Sequence, residues 1–78
     1  MLDQNQVDEA LEAAHNSYEK VCELAFGSGD NESAHFYEDG ALYAALEAIA
    51  MCSRAEDAQQ IALAVLRLKS LPYDRWYA

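Results

Sequence analysis

The chain has 78 residues and a mass of 8.7 kDa, the size of one small domain. Area scaling gives roughly 4,700 Å² folded against about 12,600 Å² unfolded, so only about 60% of the surface is buried and a deep enclosed substrate cleft does not fit. With fourteen acids against five bases, net charge −9 and sixteen Leu, Ile, Val and Phe, the composition excludes a membrane span, a collagen, a disulfide-dense toxin and a basic nucleic-acid binder.

The charge is unevenly placed. Residues 1–47 carry eleven acids and a single base, Lys20, whereas residues 48–78 carry three acids and four bases. Such a field repels nucleic acid and anionic lipid and speeds encounters with basic partners. Of the 41 apolar residues counted at 53%, fifteen are alanine, so the core is thin for the composition. A thin core gains from added helices, and a homodimer is therefore a second expectation.

The first element runs from about residue 4 to residue 26. Val7, Leu11, Ala14, Tyr18, Val21 and Ala25 are spaced alternately four and three apart, one apolar helical stripe. Asp3 or Asn5 suits the N-cap, and Gly27 suits the position after the last helical residue. Residues 27–33, Gly-Ser-Gly-Asp-Asn-Glu-Ser, read as a loop.

The second element covers about 34–52, with a break expected near 39–40 where Asp39 precedes Gly40. Leu42, Ala45, Leu46, Ile49 and Cys52 form its predicted core face, widened by Tyr43 and Ala50. The third element spans about 54–70. Ser53 and Glu56 have the spacing of a capping box, and Ala58, Ile61, Val65 and Leu68 follow as its stripe, broadened by Ala62, Leu63 and Leu66. Pro72 stops this helix, and residues 72–78 form an aromatic tail. The fold class is all-α: one domain, residues 1–78, built as a small antiparallel three-helix bundle.

The row of acids on the first helix is the leading functional feature. At 100° per residue Asp8, Glu12, Glu19 and Glu23 fall within about 60°, roughly 130° from the apolar stripe. Along the axis they stand at about 0, 6, 16 and 22 Å, the kind of spacing with which carboxylates imitate a phosphate backbone. Glu32, Glu38 and Asp39 are expected to extend this negative surface near the loop. In the tail Trp76 and Tyr77, with Tyr73 and Arg75, are the residue types that anchor protein interfaces.

Enzymatic chemistry finds little support. Cys22 lies a helical interval from His15, but Glu19 and Glu23 supply the wrong electrostatic setting for a thiolate. Glu12 and His15, and Glu32 and His35, are three apart as in di-iron bundles, yet hairpin geometry sets the two pairs at opposite ends. No cofactor and no metal are expected, and metal binding ranks third among the readings. Cys22 and Cys52 fall some 20 Å apart in the hairpin and are expected to stay reduced. With no leader pattern, no bilayer-length apolar run and reduced thiols, the expected location is the cytoplasm.

The expectation for function is a non-enzymatic acidic module whose partner is a basic, nucleic-acid-handling protein, with no direct nucleic-acid or membrane binding. In kind it resembles small phage-encoded inhibitors, anti-CRISPR proteins and DNA mimics among them, though no motif in the chain marks a family. The alternative is a self-associating structural or regulatory module.

Overall fold

In the computed structural model, residues 1–75 are described. They form a three-helix bundle in which each helix packs against the other two, with no strand among the described residues. Helix α1 spans Gln4–Cys22, α2 spans Asn31–Ala50 and α3 spans Ala55–Leu66, followed by a 3₁₀ turn over Arg67–Ser70. No helix among the described residues is long and apolar enough to cross a membrane.

The α1 stripe behaves as its spacing predicts. Val7, Ala14, Val21 and Ala25 are buried, and Leu11 and Tyr18 are half-buried between them. Asp3 caps the helix: its Oδ1 accepts from the Gln6 N–H at 2.8 Å, and the Gln6 amide oxygen accepts from the Asp3 N–H at 3.0 Å. This reciprocal pair satisfies two of the donors that a helix start leaves orphaned.

The end of α1 departs from expectation. Gly27 does not terminate an α-helix. The backbone widens instead into a π turn over Glu23–Gly27, and the Ser28 N–H donates to the Glu23 carbonyl at 3.0 Å. The Asp30 N–H and the Ser28 hydroxyl both donate to the Leu24 carbonyl, at 2.7 and 3.1 Å. These bonds satisfy carbonyls that a glycine cap would otherwise serve. The left-handed position falls at Gly29, with φ +69°, where a side chain would be strained.

Helix α2 begins earlier than predicted and has no break. Asp30 caps it through a 3.0 Å bond from the Ser33 N–H, which holds its carboxyl below the usual range. The helix then runs unbroken through Asp39 and Gly40. One glycine costs about 1 kcal/mol relative to alanine, too little to stop a helix fixed by tertiary contacts.

The larger correction concerns which face of α2 points inward. Of the predicted face, Ala45 is buried and Ile49 and Cys52 pack against the core, but Leu42, Leu46 and Tyr43 are exposed, and Ala34, His35, Glu38 and Ala41 are buried in their place. Small side chains therefore face α1: Ala10, Ala13, Ala14 and Ser17 meet Ala41, Ala44 and Ala45 around a residual gap of about 60 Å³. Close approach along this seam takes the place of large-residue burial.

Helix α3 also differs at its start. Arg54, not Ser53, is the N-cap residue, and no side chain caps the helix. The Arg54 guanidinium instead pairs with Asp57 at 3.0 Å and Glu56 at 3.2 Å, two acids of the first turn, where the helix dipole favours them. Ile61, Val65 and Leu68 are buried as predicted, but Leu63 and Leu66 face outward.

Two apolar clusters result. Val7, Ala14, Ala45, Ile61 and Val65 form one, against which Cys52 packs. Val21, Ala25, Ala34, Leu68, Leu71 and Tyr73 belong to the other, with Cys22 at its edge. Both cysteines are half-buried free thiols.

Beyond Pro72 the chain folds back on the bundle. Tyr73 is buried and meets the Phe26 ring edge-on, with centroids 6.4 Å apart. The Arg75 guanidinium lies 4.2 Å from the Tyr73 ring centroid and forks onto Glu38 with bonds of 2.8 and 2.9 Å. It also donates to the carbonyls of Leu68, Leu71 and Tyr73. Trp76 and Tyr77, the expected anchors of the aromatic tail, lie outside the described residues.

Candidate functional site

Asp8, Glu12, Glu19 and Glu23 are all exposed, the first three on α1 and Glu23 at the first residue of the π turn. Their common face follows from the apolar stripe: once Val7, Ala14 and Val21 are buried, residues on the far side of a 3.6-residue helix stand in water. Asp8 accepts the Gln4 side-chain amide at 2.9 Å, a neutral partner. Glu19 lies 2.8 Å from His15 Nε2, an exposed pair one helical turn apart.

The arginines work elsewhere. Arg54 holds the first turn of α3, and its own protonation is strengthened by Asp57. Arg67 stacks over the Tyr18 ring at 4.4 Å, and Arg75 holds Glu38. Lys20, the single base of residues 1–47, sits 5.8 Å from the centroid of Tyr37 on α2. All three arginines thus serve contacts within the bundle. No ion pair seen among the described residues brings Lys or Arg to Asp8, Glu12, Glu19 or Glu23.

The extension of this surface onto α2 is only partly as expected. Glu32 and Asp39 are exposed, and Asp39 Oδ1 stands 3.3 Å from Nε2 of the buried His35. Glu38 does not belong to the acidic surface. It is 7% exposed and bound by Arg75, so it contributes to folding and not to the outward field. Its neighbour Tyr73 registers the same environment: burial first, then the Glu38 charge, pushes the phenol up to about 12.

Glu12 with His15 and Glu32 with His35 do not converge. Among the described residues no group of three His, Cys, Asp or Glu is placed to hold a metal ion. A recess of about 600 Å³ lies at the start of α2, where Asp30, Glu32, His35 and Asp39 surround Phe36. Its charged lining is acidic, and no Lys or Arg stands on its walls.

The sequence marks Phe36, Tyr37 and Tyr43 as an aromatic patch near the second helix, and the structure sets them outward together with Leu46. Phe36 is 76% exposed, Tyr43 71% and Leu46 60%, all on one helix. Their spacing signals an apolar stripe, but it does not reveal that alanines hold the opposite, buried side.

The chain matches no protein-family model, no curated protein and no solved structure.

Proposed function

We propose that this protein is a non-enzymatic binding module that offers an acidic face to a basic, nucleic-acid-handling partner. It acts as an inhibitor or decoy, of the anti-CRISPR or DNA-mimic kind, by occluding the surface that nucleic acid would occupy. The observation that carries this reading is the exposed carboxylate row of α1 and the π turn, left without arginine while the three arginines contact other residues of the chain. Carboxylates fixed on a helix compete with phosphates for the same basic groove, and the interaction carries the same steep salt dependence.

The test is a competition experiment. A panel of purified nucleic-acid-binding domains and RNA-guided nucleases is loaded with fluorescent duplex DNA and titrated with the protein at roughly 50 and 200 mM salt. Release of DNA from at least one member, lost in a Glu12→Lys, Glu19→Lys, Glu23→Lys variant, supports occlusion. If a panel member releases its DNA equally for both proteins and at both salt concentrations, the acid row is not the competing surface.

A further inference from the structure

The outer face of α2 combines two properties that are seldom found together on a solvated helix. Phe36, Asp39, Tyr43, Leu46 and Ala50 are spaced three and four apart and fall within an arc of about 80°, roughly 150° from the buried alanines. Phe36, Tyr43 and Leu46 are each more than half exposed, and they cover about 15 Å of helix. Isolated apolar residues on a surface need no explanation, but three large ones in register on one helix form an apolar stripe, interrupted here only by the carboxylate of Asp39. Beside it, Leu42 and Leu66 border a recess of about 280 Å³ between α2 and α3, lined also by Val65, Leu68, Lys69 and the Glu38–Arg75 pair. That volume is below the usual size of a small-molecule pocket and suits one branched aliphatic side chain.

The second property is charge. Helix α2 carries Glu32, Glu38, Asp39 and Glu47 and no base. Glu38 is buried, so Glu32, Asp39 and Glu47 remain exposed along the apolar seam. A second copy of the chain is a poor occupant, because symmetric pairing through α2 sets these acids against their own counterparts with no base on the helix to answer them. A helix with matching apolar residues and flanking lysines or arginines satisfies both properties.

We infer that the α2 face is a docking surface for a basic amphipathic helix of a partner protein. Its apolar residues pack on Phe36, Tyr43 and Leu46, one aliphatic side chain enters the recess beside Leu42 and Leu66, and its bases meet Glu32, Asp39 and Glu47. The inference shares with the proposed function a basic partner, but it places the contact on α2 and does not require imitation of nucleic acid.

The experiment uses a fluorescent synthetic helix of about eighteen residues, with leucines at positions i, i+3, i+4 and i+7 and lysines flanking them. A control peptide keeps the lysines and replaces each leucine with glutamine. Anisotropy is expected to show the leucine peptide bound at least about tenfold more tightly than the control. A Tyr43→Ser, Leu46→Ser variant, folded by circular dichroism because both residues are exposed, loses that preference. An Asp39→Asn, Glu47→Gln variant weakens both peptides, while Glu12→Lys, Glu19→Lys on α1 leaves the leucine preference intact. Preference undiminished in Tyr43→Ser, Leu46→Ser overturns the inference. So does a micromolar dimer of the free protein, seen by sedimentation, that Leu46→Ser dissolves. Loss of DNA competition with the α1 reversals, alongside an unchanged peptide preference, separates the two proposals.

Discussion

Replacing Arg75 with alanine tests how the bundle is closed. Arg75 holds Glu38 through two bonds of 2.8 and 2.9 Å and binds three carbonyls at the end of α3 and in the turn-back. Removing one partner of a buried ion pair costs about 3–5 kcal/mol, because the other charge stays desolvated. The Arg75 side chain is 24% exposed, so water already reaches one side of the pair and the lower figure, about 3 kcal/mol, is expected. A domain of this length has a total stability of about 4–12 kcal/mol. With a urea dependence of about 1 kcal/mol per molar, the midpoint followed by circular dichroism falls by about 3 M. The sign of the double variant is the sharper measurement. Glu38→Leu with Arg75→Ala removes the stranded charge and is expected to be more stable than Arg75→Ala alone. A midpoint shift below about 0.5 M for Arg75→Ala, or a double variant weaker than both singles, refutes the argument that the pair holds the turn-back down.

Three further outcomes follow from the same structure. Gly40 lies within α2 with nothing inside 4 Å of an added Cβ, so Gly40→Ala should stabilise by about 0.5–1 kcal/mol and raise the melting temperature by several degrees. The Tyr73 phenol is pushed up to about 12, so between pH 10 and 12 the unfolded chain loses this proton while the folded chain keeps it. Stability should fall across that window by about 2 kcal/mol more in the parent than in Tyr73→Phe, as measured by urea titration at each pH. Ile61 is fully buried and Leu63 is mostly exposed, so Ile61→Ala should cost about 3 kcal/mol and Leu63→Ala under about 0.5 kcal/mol by denaturant melts.

Which features the sequence discloses depends on how local their causes are. The α1 stripe is legible because valines and a tyrosine alternate with acids at helical period, and Asp3 with Gln6 supplies a cap within three residues. The bundle topology follows from three such segments and short connections. The inner face of α2 is not legible, since apolar residues surround that helix and alanine carries too little hydrophobicity to mark a buried side. Glu38 reads as a surface acid because its partner lies 37 residues away, a pairing no local pattern records. The π turn depends on bonds to Glu23 and Leu24 that have no compositional signature. In the candidate site, Asp8, Glu12, Glu19 and Glu23 were visible from periodicity, whereas the withdrawal of the arginines from that face depends on tertiary contacts.

The alanine seam between α1 and α2 has a consequence for how this chain can change. Because the bulky groups of α2 stand outside and its small ones inside, positions 36, 43 and 46 bear almost none of the cost of folding. Substitutions there change the chemistry of the surface and leave the scaffold intact, while a side chain at Ala41 or Ala45 too large for the gap of about 60 Å³ between α1 and α2 pries the two helices apart. Surface chemistry and architecture are written on opposite sides of one helix, and each can be rewritten without the other.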